Sequence, residues 1–328
     1  MRYRSIPGLS QPVSCLALGG WLTFGDQVED GDALRTLRAA HDAGVNMIDL
    51  ADVYADGAAE SLVGRFVREV RPDQLVLASK VFWPTSADPQ DRGLSRRHIH
   101  ASIDRTLRRL GVERLDLYYC HREDPSVPLA ETVEAMGDLV RAGKVAAWGT
   151  SCWRPQTLRR AHRISVSGGH PPPRVEQSPY NLLERWVEAD LVACCRELGM
   201  AIVAYSPLAQ GALTGKYLGG RPAGSRGATT DGLDRYLEPA AEEAVRAYVA
   251  LCHARSIDPA VAAIAWVVQR AGVCAAVFGA RTERQLRQNL GAADACLDEE
   301  FCGGLDRIFR PARRSVLRRV LSLLRPRT

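Results

Sequence analysis

Four polar residues that could carry acid–base chemistry lie at or just after short apolar runs in the first half of the chain. Asp49 ends the run VNMID, Tyr54 lies five residues later, Lys80 ends LVLASK, and His121 follows LDLYYC. Burying a carboxylate costs free energy unless a cation pairs with it, so Asp49 calls for a partner such as Lys80. A cation beside Tyr54 would lower the phenol pKa toward neutrality and make the tyrosine a general acid. His121 would then orient a substrate oxygen or share the acid role.

Each of these residues also has an ordinary structural explanation. Asp49 alone could cap a helix or lie in a turn, and Lys80 alone could be an exposed lysine at a strand end. Tyr54 and His121 alone could be packing residues or hydrogen-bonded polar residues. The occurrence of all four at the same end of successive strands favours a catalytic site, because the structural explanation would require several independent coincidences.

Eight short apolar runs, each followed by a helical pattern, would position these residues. The runs are VSCLAL, VNMID, LVLASK, LDLYYC, VAAWG, RVEQ, AIVAY and CAAVF. Helix ends are marked as well: Ser95 and Gly111 bracket one candidate helix, and Pro128 begins another that ends near Gly143. Eight strand–helix units predict an α/β fold, a (β/α)8 TIM barrel, in which the C-terminal ends of the strands share one mouth.

The alternative architecture is a doubly wound sheet, which would usually carry a glycine-rich nucleotide motif after its first strand. No GxGxxG or GxxxxGK[ST] motif occurs. No shift in composition marks a second domain, so we expect one barrel domain over residues 1–310 and a basic tail over residues 311–328. The Pro-rich patch 168–174 reads as a loop, and the Gly-rich segment 211–232 is long enough to be a lid or a cofactor clasp.

Composition argues against several other classes of protein. The chain has 328 residues, 46% hydrophobic and 25% charged, and no apolar run approaches the roughly 20 residues that span a bilayer. The first residues lack the pattern of a secretory signal, so a cytoplasmic location is expected. A net charge of +5 is modest and argues against nucleic-acid binding. The nine cysteines form no CxxC pair, so we expect no metal site and no disulfide framework, with most thiols reduced and buried.

The basic tail has an apolar stripe among its arginines. The stripe consists of Val316, Leu317, Val320, Leu321 and Leu324. Such a helix could contact an anionic membrane or an acidic partner. The explanation we favour is a basic terminal helix that packs on the underside of the barrel.

The chain resembles the aldo-keto reductase family over nearly its whole length, from CLALGGW to RQNLGAADACLDEEF. The family's Asp-Tyr-Lys-His tetrad falls on Asp49, Tyr54, Lys80 and His121. The segments GLSRRHIHASIDRTLRRLGVERLDLYY and SPYNLLER are similar to the branch that includes voltage-gated potassium channel beta subunits and their bacterial relatives. The resemblance implies a (β/α)8 barrel that binds NADPH across its mouth without a Rossmann motif. It also implies an NADP-dependent oxidoreductase that reduces aldehydes or ketones by hydride transfer, with Tyr54 as the general acid.

The resemblance further implies three groups of cofactor contacts. The nicotinamide end of NADPH or NADP+ would meet Trp21, Asp49, Ser151, Gln177 and a stacking ring from Tyr205. The pyrophosphate would lie under the loop that contains Ser206, Leu208, Gly211, Leu213 and Lys216. The adenosine end would meet Gly279, Arg281, Gln285 and Asn289. Arg281 could hold a 2′-phosphate bidentately, which favours NADPH over NADH.

The chain departs from the family pattern at two positions and from the pattern of the channel beta subunits at a third. Cys152 replaces an asparagine that helps to hold the carboxamide, and a thiol is a poor substitute for an amide. Gln288 replaces a glutamate near the adenine, which keeps an acceptor but loses the charge. His121 stands where the channel beta subunits tend to have asparagine, and histidine there is typical of the active carbonyl reductases.

Four aromatic residues are candidate walls of a substrate pocket, with ordinary packing as the alternative: Trp21, Phe24, Trp83 and Trp153. The expected substrate is a small carbonyl compound. The similarity to beta subunits also raises a second function, that of a regulatory subunit which senses NADPH occupancy and turns over slowly, and it makes a homo-oligomer conceivable.

Overall fold

A closed barrel of eight parallel strands forms the centre of the computed structural model, which describes residues 1–229 and 231–309. Strands β1 (Tyr3–Arg4) and β2 (Val13–Ser14) form a separate antiparallel pair. The barrel strands are β3 (Leu16–Gly19), β4 (Met47–Asp49), β5 (Val76–Val81), β6 (Leu115–Cys120), β7 (Val145–Ser151), β8 (Val175–Pro179), β9 (Ala201–Tyr205) and β10 (Val273–Phe278). Each strand pairs with the next along the chain, and β10 pairs with β3 to close the barrel. The prediction of a (β/α)8 barrel is confirmed.

Helices pack around the outside of this barrel and connect its strands. They are α1 (Asp30–Asp42), α2 (Ala58–Val67), α3 (Arg96–Leu110), α4 (Leu129–Arg141), α5 (Pro155–Ser167), α6 (Leu191–Glu197), α7 (Arg226–Thr229), α8 (Pro239–Ala254), α9 (Pro259–Val268), α10 (Glu283–Leu290) and α11 (Glu299–Ile308). Two connections differ from the simple pattern: α7 to α9 lie between β9 and β10, and α10 and α11 follow the last strand.

The predicted ends of α3 and α4 agree with the structure. The Ser95 hydroxyl accepts a hydrogen bond from the backbone N–H of His98 at 3.2 Å, and so caps the first turn of α3. Gly111 ends the helix in a left-handed conformation with φ 71°, which glycine adopts without steric cost. Helix α4 begins directly after Pro128 and ends two residues before Gly143.

The first predicted strand needs correction, because the run VSCLAL is divided between β2 and β3. The backbone N–H of Ser14 donates to the side chain of Asn46 at 2.7 Å, and its hydroxyl donates to the carbonyl oxygen of Leu16 at 2.7 Å. The carbonyl oxygen of Cys15 already accepts a 2.9 Å hydrogen bond from the N–H of Ala276 in β10, so the run passes from the antiparallel pair to the barrel at this residue. Only the second half of the run therefore enters the barrel.

Other features of the described residues concern membranes, thiols and metals. No single helix among them has the length and apolar composition needed to cross a bilayer, and α8 with α9 reach it only as a pair bent by 98°. All nine cysteines are free. Within the described ranges, no group of three or more His, Cys, Asp or Glu residues could hold a metal ion. The proposed tail 311–328 and the domain boundary at 310 lie outside the described residues.

Two helical glycines provide a test of the packing between α2 and α3. A Cβ at Gly64 in α2 would lie 2.3 Å from the carbonyl oxygen of Arg109, whereas the closest described atom to a Cβ at Gly303 in α11 would be Arg307 Nη1 at 3.7 Å. Alanine favours a helix by about 1 kcal/mol relative to glycine, but a backbone clash costs about 1–3 kcal/mol. We expect Gly64→Ala to lower the free energy of unfolding in urea and the control Gly303→Ala to raise it or leave it unchanged. Equal stabilities of the two variants would show that α2 and α3 are not in tight contact.

Candidate active site

The barrel strands carry apolar side chains inside the barrel and polar ones at its C-terminal mouth. Alternate residues of a strand face the same side, so the residue two positions after an interior side chain also faces inward. The interior apolar cluster includes Met47, Ala78, Tyr119, Val175 and Val203. Two residues beyond them along the strands come Asp49, Lys80, His121, Gln177 and Tyr205. Because the side chains alternate along each strand, these five residues from separate strands all face the mouth of the barrel. All five are candidate site residues from the sequence.

Lys80 and Asp49 form a buried ion pair at the centre of this mouth. The Lys80 ammonium lies 2.6 Å from Asp49 Oδ2 and donates a second hydrogen bond of 2.6 Å to the carbonyl oxygen of Leu50. Asp49 Oδ1 accepts a 2.7 Å bond from the side-chain amide of Gln177. Both charged side chains are at most 5% exposed. Burial alone would lower the pKa of Lys80, but the Asp49 carboxylate and Tyr54 together outweigh it, and the net shift of that pKa is upward. The lysine is therefore charged.

Tyr54 reaches this pair from the loop that follows β4. Its hydroxyl lies 3.4 Å from the Lys80 ammonium. Burial raises the pKa of Tyr54 above its ordinary value, and the positive charge of Lys80 offsets only part of this effect. The expectation that the pKa of Tyr54 lies near neutrality is therefore wrong for this structure. The free-energy cost of burying the phenolate exceeds the stabilisation that Lys80 provides. The phenol is protonated at neutral pH, which is the form that can donate a proton.

The loop after Tyr54 has an unusual backbone. Ala55, Asp56 and Gly57 have φ values of 49°, 52° and 88°, so three consecutive residues lie in the left-handed region. A Cβ at Gly57 would lie 2.3 Å from the guanidinium carbon of Arg109. Arg109 in turn pairs at 3.0 Å with the fully buried Glu60. The loop that presents the tyrosine is thus held by an ion pair between α2 and α3.

His121 lies beside the tyrosine, with the two ring centroids 6.1 Å apart in an edge-to-face arrangement. Burial lowers the pKa of His121 well below its ordinary value, and the nearby charges of Arg122 and Lys80 lower it further. The imidazole is therefore neutral at physiological pH. Of the two roles expected for it, a neutral ring fits the orientation of a substrate oxygen and does not fit proton donation.

These residues open onto a single large cleft of about 940 Å³ at the barrel mouth. The sequence-predicted residues that line it are Trp21, Asp49, Tyr54, Trp83, His121, Ser151, Gln177, Tyr205, Ser206, Leu208, Gly211, Lys216, Gly279, Arg281, Gln285 and Asn289. Lys80 lies behind Asp49 and Tyr54. The structure thus brings most of the predicted site residues to one surface.

Three side chains are an exception, and the prediction is corrected for them. Phe24 and Trp153 are each 1% exposed and Leu213 is fully buried, and all three belong to the hydrophobic core outside the barrel interior. They do not line the cleft, so the alternative explanation of ordinary packing applies to both aromatic residues. Trp21 and Trp83 are the aromatic side chains of that group that do line it.

The charge of the cleft is strongly unbalanced. Its basic lining residues are Arg122, Lys216, Arg226, Arg235, Arg281 and Arg284, and its acidic ones are Asp26 and Asp49. Sequence reasoning missed four of these arginines. Arg122 directly follows His121 and Arg284 directly precedes Gln285, so adjacency to predicted site residues was the available signal. A cleft with this lining suits an elongated anion.

Several described residues of the Gly-rich segment 211–232 line the cleft, among them Gly211, Lys216 and Gly224. Gly211 has φ 96°, and a Cβ there would lie 2.9 Å from the Lys216 ammonium. Glycine therefore allows the lysine to lie against the loop. Arg281 donates a 2.8 Å hydrogen bond to the carbonyl oxygen of Gly224 and another to the side chain of Gln27. These bonds tie the loop to the segment before α10.

The two positions that depart from the family pattern have clear neighbours. Cys152 has φ 57°, and its sulfur lies 3.4 Å from the Tyr205 hydroxyl. Gln288 lines the cleft and donates a 2.7 Å hydrogen bond to Asp258.

A closed (β/α)8 barrel with a Lys–Asp pair, a tyrosine and a histidine at its mouth agrees with the comparisons to known proteins. The model of the Aldo/keto reductase family matches residues 15–310, and the chain belongs to that family. A protein named "Probable voltage-gated potassium channel subunit beta" from Oryza sativa subsp. japonica is 36% identical over 305 residues, covering 90% of this chain and 92% of the relative. A protein of the same name from Arabidopsis thaliana is 35% identical with the same coverage. The predicted resemblance is confirmed, and family membership supports an oxidoreductase function.

The buried ion pair can be tested by its contribution to stability. Replacement of one member leaves the other as an uncompensated buried charge, which costs about 3–5 kcal/mol, whereas an apolar pair is often tolerated. We expect Lys80→Met to lower the free energy of unfolding by that amount and Asp49→Leu/Lys80→Met to recover most of it, as measured in urea. Arg65→Met breaks the half-exposed pair with Asp30 and serves as the control, with an expected loss below about 1 kcal/mol. A similar loss for Lys80→Met and Arg65→Met would contradict the proposed burial cost.

Proposed function

We propose that this protein is an NADPH-dependent aldo-keto reductase that reduces aldehydes or ketones to alcohols. The observation that carries the proposal is the protonated Tyr54 hydroxyl at 3.4 Å from the Lys80 ammonium, within a cleft that His121 also lines. Reduction of a carbonyl group produces an alkoxide that must be protonated. This step requires a general acid whose conjugate base is stabilised by a neighbouring positive charge. Family membership supports the same reaction class.

The residues of the cleft fit an extended dinucleotide. The basic lining at the end formed by Lys216, Arg281 and Arg284 suits phosphate groups, and the glycine at position 211 gives access to the loop backbone. Asp49, Ser151, Gln177 and Tyr205 line the cleft near Tyr54 and would hold the nicotinamide end. When bound there, NADPH supplies the hydride.

The side chains of this chain then have distinct tasks. Tyr54 donates the proton to the substrate oxygen, and Lys80 stabilises the phenolate that this donation leaves. Asp49 keeps Lys80 charged and in place through the 2.6 Å contact. The neutral His121 orients the substrate oxygen by a hydrogen bond, because its low pKa keeps it from acting as an acid.

The proton donor is tested by removing one hydroxyl. We expect Tyr54→Phe to lower kcat at least about 100-fold, which is the lower range for loss of a general acid, while the Kd for NADPH changes less than about threefold. Rates follow from NADPH oxidation with a panel of aldehydes, and Kd follows from quenching of protein fluorescence. Tyr3→Phe removes an exposed hydroxyl that bonds only Gly44 among the described residues, and should leave both quantities unchanged. Full turnover by Tyr54→Phe would remove the tyrosine from the mechanism.

The choice between NADPH and NADH is tested at Arg281. If its guanidinium holds the 2′-phosphate, Arg281→Gln should weaken NADPH binding about tenfold or more and leave NADH binding within about threefold. The control Arg287→Gln removes a charge from α10, the helix that follows Arg281, where Arg287 pairs with Glu283 on the exposed surface. An equal loss of affinity for both cofactors would assign Arg281 a role in holding the loop instead of reading the phosphate.

A second candidate function is that of a regulatory subunit, in which NADPH occupancy changes the binding of a partner protein. The names of the two plant relatives support it. Fast turnover of small aldehydes would speak against this role. Tight retention of NADPH with slow turnover by the wild-type protein would favour it, and the same fluorescence titration and oxidation assay distinguish the two cases.

A further inference from the structure

Arg122 is a positive charge at the reaction end of the cleft that the proposed mechanism does not use. It directly follows His121 and lines the same cleft as Tyr54 and Trp83. Its guanidinium carbon lies 5.9 Å from the centre of the Trp83 ring, and that ring meets His121 edge-to-face at 6.2 Å. Arg122 therefore borders the same part of the cleft as Tyr54 and His121.

The hydrogen bonds of Arg122 occupy only one of its nitrogens. Nη1 donates to the carbonyl oxygen of His121 and, at 3.2 Å, to the hydroxyl of Ser151. Among the residues that the structure describes, Nε and Nη2 have no hydrogen-bond partner, and no carboxylate forms an ion pair with the guanidinium. An arginine has five N–H donors in a fork that matches a carboxylate. Most of that fork remains available to a ligand.

The groups around Arg122 do not supply a counter-ion. Burial alone would lower the pKa of Arg122, and the groups that raise it most strongly are Cys152, Tyr205, Tyr54 and Glu176. Glu176 is fully buried, and its carboxylate accepts hydrogen bonds from the hydroxyls of Thr150 and Ser178. Burial raises the pKa of Glu176 to about 7, so it is a weak source of negative charge at neutral pH. A half-buried guanidinium that has no fixed counter-ion among the described residues favours an anion supplied from solution.

We propose that Arg122 binds a carboxylate of the substrate, so that the preferred carbonyl compounds of this protein are oxo acids. When the carbonyl oxygen of the substrate lies at Tyr54 and His121, the substrate carboxylate accepts hydrogen bonds from the free N–H groups of Arg122. The carbons between the two groups then lie against Trp83. The inference rests on the proposed reductase function, since it names the substrate class of the same site. It assigns Arg122 to substrate specificity and not to the chemical step.

The test compares three aldehydes with and without a negative charge: glyoxylate, 4-oxobutanoate and 4-carboxybenzaldehyde, each against its methyl ester. The measured quantity is the ratio of kcat/KM for the acid to that for the ester. We expect the wild-type ratio to exceed about 10 for at least one pair and to fall about 10- to 100-fold in Arg122→Gln, mainly through KM. Arg122→Lys should retain part of the preference, because it keeps the charge and loses the fork.

The ratio separates recognition from other effects of the substitution. A change in the acidity of Tyr54 or in the position of His121 affects both members of a pair and cancels. Arg281→Gln removes an equal charge from the far end of the cleft and should leave the ratio unchanged. A wild-type preference for the ester in all three pairs, or a ratio in Arg122→Gln within about twofold of the wild type, would overturn the inference.

A binding measurement decides the case in which no aldehyde is reduced. That result would reject the reductase proposal without deciding the role of Arg122. Protein loaded with NADP+ would then be titrated with 4-(hydroxymethyl)benzoate and with its methyl ester, following protein fluorescence. Tighter binding of the acid that disappears in Arg122→Gln supports carboxylate recognition, and equal binding of the two compounds by the wild type rejects it.

Discussion

The ion pair between Lys80 and Asp49 is the interaction on which the site depends. A charged, buried lysine near the C-terminal end of a barrel strand is stable only because a carboxylate from the neighbouring strand lies 2.6 Å from it. The parallel register places Asp49 beside Ala78, two residues before the lysine. The pair is thus a product of the pairing between β4 and β5, and it fixes both the charge near Tyr54 and the position of Gln177. An unpaired lysine in this place would lose its proton or destabilise the barrel.

The barrel and the four polar residues that meet at its mouth could be predicted from the sequence because both depend on local patterns. Polar residues at the ends of apolar runs follow the alternation of a strand, and eight such runs define a barrel. The acidity of Tyr54 could not be predicted in this way, because it depends on how much burial opposes the charge of Lys80. The same limit applied to Phe24 and Trp153, whose aromatic character does not tell whether they face the cleft or the core. Arg122 was missed because a single arginine carries no pattern.

The cleft separates two kinds of electrostatic environment. At the reaction end, the charges of Lys80 and Asp49 neutralise each other, and the tyrosine and the histidine are neutral. At the other end, the basic residues Lys216, Arg281 and Arg284 line the surface, and besides Asp49 the described cleft lining has one acidic residue, Asp26. A ligand with a negatively charged tail and a neutral reactive ring matches this difference in charge between the two ends of the cleft. Arg122 interrupts it, since it places one positive charge beside the neutral end, and this is why substrate charge matters there.

The loop that carries Tyr54 has a consequence for how the protein responds to heat. Three successive residues of the loop have left-handed backbone conformations, and two of them are not glycine. These conformations cost free energy, and contacts within the loop itself do not compensate for this cost. They persist because Arg109 and Glu60 hold the loop against α2 and α3. Local unfolding of this loop needs less free energy than unfolding of the barrel. The barrel can therefore outlast its own active site, and on warming the tyrosine leaves the lysine before the fold is lost.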